Sequence, residues 1–478
     1  FKKILLILLL VTIIPIFLFK TGEDKIDNFL SFDTYKNVFI KKLAVSNPTP
    51  YPLHPTTSSN VTESFDIRKI VWQGAWDLGL KYPLFGTGVE TFAYSYNFVR
   101  PLGHNLTSEW DYVYNKAHNE YFNYLATTGF VGLGSYLLLI CFFSTYVFRK
   151  IKSQRSNIKD KVQNSKISKN LRSLNLDLNF DILTLSLFCG WLTILITNFF
   201  GFSTTTTQLF FFLIPAFVIG LNSSSPPNTY HLTPNNLSVV RKIFIFLLLS
   251  SIIYLLSSIV VYYLADVNYS YGLKYLKPKT LNYQKAASYF EQALKLRKEP
   301  VYEDKFSGSL SYISALAAFQ KQNDLAKQIV ALSDFYNRKT IQTYPKNVFY
   351  WKTRSKNMYF FYQTTGNANE LLQGVEALKT AQGLYPTDPK IPYYLALSYT
   401  ILYDATKNNE EKQKWQKLSL QEIDNCIKLK SNYREAYLFK GQLLKKYGMN
   451  IEARTVFEYM LKNFNTKDAT VLKELQSF

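Results

Sequence analysis

Between residues 126 and 264 the chain carries four apolar runs, at 126–148, 182–200, 207–221 and 243–264, and a fifth opens it at 4–19. Spanning a bilayer takes roughly 20 apolar residues in a helix, and each run approaches that length. Inside lipid every backbone amide must find its partner within its own segment, which leaves helices as the natural solution for such runs. The 207–221 run is short, which points to tilt or burial within a bundle. For the opening run the alternative is a signal peptide, since Lys2 and Lys3 supply a basic start, but no small-x-small cleavage pattern follows Phe19. Because the chain begins with Phe1 inside this run, we read it as a fragment whose preceding part is missing.

Charge orients these runs. Arg149, Lys150, Lys152, Arg155, Lys159, Lys161, Lys166, Lys169 and Arg172 follow the second run directly. The positive-inside rule assigns this stretch, 149–180, to the cytoplasm. Lys2 and Lys3 before the first run, and Arg241 and Lys242 before the last, agree with that orientation. Residues 20–125 then form a large extracytoplasmic loop, and everything after 265 lies on that same side. The formal net charge of +21 is thereby explained in part as a topology signal and in part as attraction to membrane lipids. No basic-aromatic motif points to nucleic acid. Cys141 and Cys189 fall in apolar runs and Cys426 stands alone, so neither a disulfide framework nor a metal site can be drawn from them.

The expected fold class is all-α: a polytopic helical membrane bundle with a large outer loop, then a soluble helical-repeat domain. Its parts are a membrane helix at 1–19, the loop at 20–125, membrane helices at 126–264 and tetratricopeptide-like repeats at 265–478. Within the loop, 46–60 is rich in Pro, Ser and Thr and reads as irregular. A helix is expected to begin near 62–64, with Asp66 in its first turn and Tyr82–Pro83 at its end. Ile67, Ile70, Val71, Ala75 and Leu78 form its apolar face, while Arg68, Trp72 and Trp76 form a second stripe. Gly86 and Gly88 allow a tight turn or a close backbone approach. A second helix is expected from about Asn115, placing His118, Tyr121, Phe122 and Leu125 on one face, with Thr127, Thr128 and Gly129 bending it into the next span. The polar hairpin at 201–208 faces the same side.

Beyond 264, Tyr437, Gly441, Leu444, Ala453, Phe457 and Met460 have the spacing of one tetratricopeptide repeat. Ala286, Phe290 and Ala293 fit the second helix of another, and Pro392, Ala396 and Tyr399 the first helix of a third. Residues 406–413 read as an insertion.

Three pieces of the chain recur together in a known family: Arg68 followed by Trp72 and small residues; Pro83, Leu84, Phe85, Gly86, Thr87 and Gly88 with Phe92 after them; and Ala117, His118, Asn119, Glu120 and Tyr121 ahead of a Gly-rich span. From about Phe65 to Leu221 the chain resembles the O-antigen ligase and O-antigen polymerase superfamily of bacterial membrane glycosyltransferases. The resemblance implies transfer of a glycan from a polyprenyl diphosphate carrier to an acceptor hydroxyl at the outer face of the inner membrane, with no metal or nucleotide sugar. It implies a functional arginine at Arg68 and a functional histidine at His118. The family carries more spans than the five here, and a further arginine upstream, so this fragment by itself is expected to lack part of the lipid channel.

The chemistry of those residue types is independent of the resemblance. A diphosphate leaving group gathers negative charge as the glycosidic bond breaks, and a guanidinium offers permanent charge and a planar fork of donors. An imidazole, with a pKa of roughly 6.5, can take the acceptor proton or donate to the diphosphate. The plain alternatives are an interfacial arginine stacked on Trp72 and a core or capping histidine. Arg100, His104, Glu120, Tyr121, Gly86 and Gly88 are secondary candidates for substrate contact; the glycines do not form a P-loop, because no Gly-Lys-Ser/Thr follows. The donor would be a polyprenyl diphosphate-linked glycan and the acceptor a glycan, a lipid or a protein. Protein O-oligosaccharyltransfer is thus one rival, and a non-catalytic scaffold that recruits protein partners through the repeats is another.

Overall fold

The computed structural model describes residues 64–164, 171–222 and 239–478. The expected helix at 1–19 and the Pro-rich stretch at 46–60 lie outside the described residues. Every regular element among the described residues is a helix.

Helix α1 (Ser64–Lys81) starts and stops where its end signals place it, with Asp66 in the first turn and Lys81 in the last. Its face of Ile67, Val71, Ala75 and Leu78 is buried against the loop that follows and against the start of the next long helix. That loop is compact, with a single helical turn, α2 (Phe92–Ser95), and 3-10 turns at Tyr96–Phe98 and Leu102–Leu106.

Helix α3 (Glu120–Asn164) is followed by α4 (Leu171–Phe200), α5 (Thr205–Asn222) and α6 (Val239–Lys274). Three segments, Glu120–Ser153, Ile182–Phe200 and Lys242–Lys274, are long and apolar enough to cross a membrane; Thr205–Leu221 is a shorter apolar helix. Tyr136, Phe143, Phe188, Trp191 and Phe211 bind α3, α4 and α5 into one aromatic core, and the Trp191 indole donates to the Phe211 carbonyl at 2.9 Å. The outer surface of α6 is apolar and exposed, as a lipid-facing helix requires.

The expected division at 265 falls inside α6. No breaker interrupts the sequence there, so the apolar helix runs on and its last turns become the first helix of the repeats. It pairs with α7 (Tyr283–Leu296), where Gly272 lets the Phe290 ring close against its backbone. The pairs α8 (Pro300–Phe319) with α9 (Asn323–Thr343), α10 (Val348–Thr365) with α11 (Ala368–Leu384), α12 (Lys390–Ala405) with α13 (Asn409–Leu429), and α14 (Arg434–Lys446) with α15 (Asn450–Asn463) follow, each packed on the next, with α16 (Ala469–Leu475) at the end. Gly441 against Phe457 repeats the Gly272–Phe290 contact. The 406–413 insertion is mostly helix: Asn408 caps α13 by accepting from Glu410 and Glu411, and the extra residues lengthen that helix.

Candidate functional site

The site is built where α1, the start of α3 and the junction between α4 and α5 converge. Helix α4 ends at Phe200, and its last carbonyls have no partner within the helix. The loop supplies them. Arg68 donates from Nη1 to the Phe200 carbonyl at 2.8 Å and Asn119 from Nδ2 to the Phe199 carbonyl at 2.8 Å; further in, short of these terminal carbonyls, the Tyr121 hydroxyl reaches the Leu195 carbonyl at 3.3 Å. A cation at this end also complements the negative end of the helix dipole. One nitrogen of the half-buried Arg68 fork is thus anchored. Trp72 does not stack under it; that ring packs among Phe65, Phe122 and Phe199.

Helix α3 begins at Glu120, five residues later than the periodicity predicts. The reason is Asn119, whose Oδ1 accepts from the Phe122 amide at 3.0 Å and caps the helix. His118 therefore lies outside the helix and shares no helical face with Tyr121, Phe122 and Leu125. Its backbone is left-handed, φ 54°, a conformation that costs a non-glycine residue energy and clusters at functional positions. The imidazole stands edge-on between Tyr114 (centroids 5.6 Å apart) and Phe202 (5.2 Å). Burial, and then the nearby Arg68 charge, hold its pKa below the ordinary value. Both effects favour the neutral form of the ring. Glu120 and Tyr121 do not orient it. Glu120, buried, accepts from the Ser203 amide at 3.2 Å, and Tyr121 is spent on Leu195.

Beside His118 opens a cavity of about 850 Å3, with Glu90, Lys116, Glu120, Phe202 and Gln208 in its wall. Phe202 is shared: its ring meets His118 and its residue lines the cavity. Neither Arg68 nor His118 belongs to the wall itself. Lys116 pairs with Glu90, and Gln208 donates to the Tyr124 hydroxyl at 2.8 Å. Lys116, Glu90, Ser203 and Gln208 escaped the sequence reading as individuals. Lys116 stands two residues before His118, which was the available hint, and the other signal was the polar hairpin at 201–208.

Gly86 and Gly88, candidates for substrate contact, hold a backbone turn against α3. Thr87 and Gly88 donate their amides to the Ala126 and Thr127 carbonyls at 3.1 and 2.9 Å, while Phe130 donates to Pro83 at 2.7 Å. This lashes the turn to the bend in α3 at Gly129, where φ is 67°. A Cβ at Gly86, itself at φ 64°, would collide with the backbone of Thr127 and Thr128.

Arg100 and His104, the other candidates for substrate contact, are both buried and bonded within the protein. Arg100 donates to the Tyr385 hydroxyl of the repeats and to the Trp110 carbonyl, and its own carbonyl accepts from Thr387 at 3.0 Å. Asn105 donates to the Thr387 and Leu429 carbonyls, Lys430 returns a bond to the Asn105 carbonyl at 2.6 Å, and Lys390 grips Asp111 at 2.6 Å. These contacts join loop and repeats. His104 is fully buried, with Nδ1 2.9 Å from the Tyr96 hydroxyl. Burial and the Arg100 charge pull its pKa down to about 3. Its ring meets Tyr114 edge-on at 5.0 Å, and Tyr114 in turn meets His118.

Residues 1–137 match the family model described as O-antigen ligase. No curated protein matches the chain. Among solved structures, a thermophilic TPR protein in Thermus thermophilus is similar at 15% identity over 45% of this chain and 97% of that one, with a TM-score of 0.32. A human IFIT1 dimer with PPP-AAAA is similar at 17% identity over 41% of this chain and 50% of that one, with a TM-score of 0.25. The paired-helix architecture stands on the packing described above.

Proposed function

We propose that this chain acts in transfer of a glycan from a polyprenyl diphosphate carrier to an acceptor hydroxyl, on the non-cytoplasmic side of a bacterial inner membrane. The observation that carries the reading is the meeting of Arg68 and His118. Fifty residues apart in sequence and both within the stretch 1–137 that matches the O-antigen ligase model, they converge on the α4–α5 junction, at Phe200 and Phe202.

In this reading Arg68 is anchored by one nitrogen and turns the rest of its fork to the leaving diphosphate, whose charge grows as the bond breaks. His118, neutral, takes the acceptor proton through a ring nitrogen as the new bond forms. The 850 Å3 cavity beside it receives one substrate. Glycans, lipids and proteins all offer a hydroxyl, and the assay below distinguishes them when each is supplied as acceptor.

In this reading loop and repeats lie on one side of the membrane, with the shorter apolar helix α5 counted as a crossing beside the three longer ones. Four crossings return the chain to the side on which it started. The bonds from Arg100 and Asn105 to the repeats support that count, since two segments held together by buried bonds share a compartment. A cysteine at Phe319, 87% exposed in the repeats, should react with a membrane-impermeant maleimide in intact spheroplasts. Reaction only after the inner membrane is opened would sink the orientation and the mechanism with it. The residue roles are tested by His118→Ala and Arg68→Ala, made separately in the full-length protein in cells, with membrane levels checked. Loss of surface glycan attachment at normal protein level supports the roles; normal transfer by both variants would move the scaffold reading ahead.

A further inference from the structure

A second cavity, of about 660 Å3, opens on the other side of the glycine turn, between the loop and the repeats. Gly86 and Thr87 line it, whereas Val89 and Glu90 line the cavity beside His118. One short piece of backbone therefore separates the two. The volume falls within the roughly 300–1,000 Å3 typical of small-molecule sites.

We propose that this cavity binds a carbohydrate segment, through aromatic faces from both loop and repeats and a ladder of hydroxyl acceptors. Tyr94 from the loop and Tyr344 from the repeats offer rings that are 46% and 51% exposed. The C–H face of a pyranose is weakly electropositive and suits the negative face of such rings. The loop also supplies the ladder, from Thr87, Thr91 and Ser95 in the lining. The Thr91 hydroxyl lies 2.6 Å from the Gly88 carbonyl and 2.7 Å from the Thr87 hydroxyl, Thr87 reaches Ser95 at 3.1 Å, and Ser95 donates to the Thr91 carbonyl at 3.0 Å. A hydroxyl has one hydrogen and two lone pairs. With the hydrogens used internally, the ladder presents lone pairs, which match a ligand rich in O–H donors.

Charge narrows the class. Glu299 in the wall is paired with Arg297 at 2.6 Å, and Lys346 is the cation of the lining among the described residues. No arginine fork among them lines the cavity, so a diphosphate is poorly served there. The hydroxyls likewise make a poor bed for a polyprenyl tail. In one respect the proposal rests on the transfer reading: the saccharide is taken to be that of the acceptor, held one wall away from the reacting groups.

The test uses the full chain in lipid nanodiscs. The probe is the oligosaccharide pool released by mild acid from the surface polysaccharide of the producing cells, followed by saturation-transfer NMR. Saturable binding is expected, weakened at least tenfold in Tyr94→Ala/Tyr344→Ala and unchanged in Phe319→Ala and His118→Ala. Should the double alanine variant melt early, Tyr94→Leu/Tyr344→Leu keeps the bulk and removes the aromatic face. In the transfer assay the tyrosine variants should raise acceptor KM and leave kcat in place. No saturable binding by the parent, equal binding by both tyrosine variants, or binding of a Ser/Thr-rich peptide in place of the saccharide would overturn the assignment. A chain that binds saccharide and transfers nothing removes the transfer reading alone. One that transfers normally despite the tyrosine changes removes the cavity assignment alone.

Discussion

The loop holds two arginine–histidine pairs, Arg68 with His118 and Arg100 with His104, and they meet opposite fates. In each pair burial, and after it the arginine charge, depresses the imidazole pKa. Yet Arg100 is 6% exposed and His104 fully buried, while Arg68 and His118 are only partly covered. Arg100 has given both terminal nitrogens to Tyr385 and Trp110, with its Nε buried and unpaired; Arg68 has given one to a helix end. The two histidines both meet one ring, Tyr114, edge-on. The lesson is that residue type and neighbourhood do not tell a pair with donors to spare from one whose donors are mostly spent. What separates them is how many of their bonds the fold has already used.

The largest effect that would sharpen this contrast is catalytic. His118→Ala should reduce transfer by about 10²-fold or more, the usual worth of a general base, with a melting temperature close to the parent's. A similar catalytic loss in His104→Ala without loss of stability would break the comparison. Next comes Arg100→Ala, which strands the Tyr385 hydroxyl and the Trp110 carbonyl and should cost roughly 2–4 kcal/mol, read by denaturant melts and by faster proteolysis where the loop meets the repeats. Arg68→Ala, at the half-buried member, should cost far less stability and much more transfer.

A pH experiment probes the same pairs. His104 has a folded pKa of about 3 against an unfolded value near 6.5. Below 6.5 the unfolded chain takes up a proton that the folded chain refuses. Stability from this group is complete above pH 6.5 and falls by about 1.4 kcal/mol per pH unit down to about 3. His104→Gln should flatten that part of the profile relative to the parent, and an unchanged slope would show that the group titrates freely. His118 is depressed too, so the acid limb of transfer should lie below the ordinary imidazole range. Asn119→Ala removes both the cap of α3 and the bond to the Phe199 carbonyl and should cost about 2 kcal/mol, seen as earlier exchange of the first amides of α3.

Much of this was legible in the sequence. The ends of α1 follow from Asp66 and from Tyr82–Pro83, and the apolar runs became α3 to α6. The start of α3 did not follow from periodicity, because an apolar pattern runs backward past a cap, whereas Asn119 followed by Glu120 is itself a start signal. The run of α6 into the repeats has no local punctuation to mark a boundary, and none exists. Within the candidate site, the types of Arg68 and His118 drew notice, and so did those of Arg100 and His104. Only the fold could sort them, since the partners that consume Arg100 lie as far away as Tyr385, and no local pattern reports a bond across that separation.

Continuity of α6 into the repeat array has a mechanical consequence. A helical mast fixed at one end pivots about its foot. Here the array is fixed twice, by the unbroken rod of α6 with its Gly272–Phe290 seat and by the Arg100, Asn105 and Asp111 ties to its middle. Two anchorages and a stiff strut make a triangulated frame. In such a frame a load hung on the repeats is carried into the loop, and the distance from load to loop stays set.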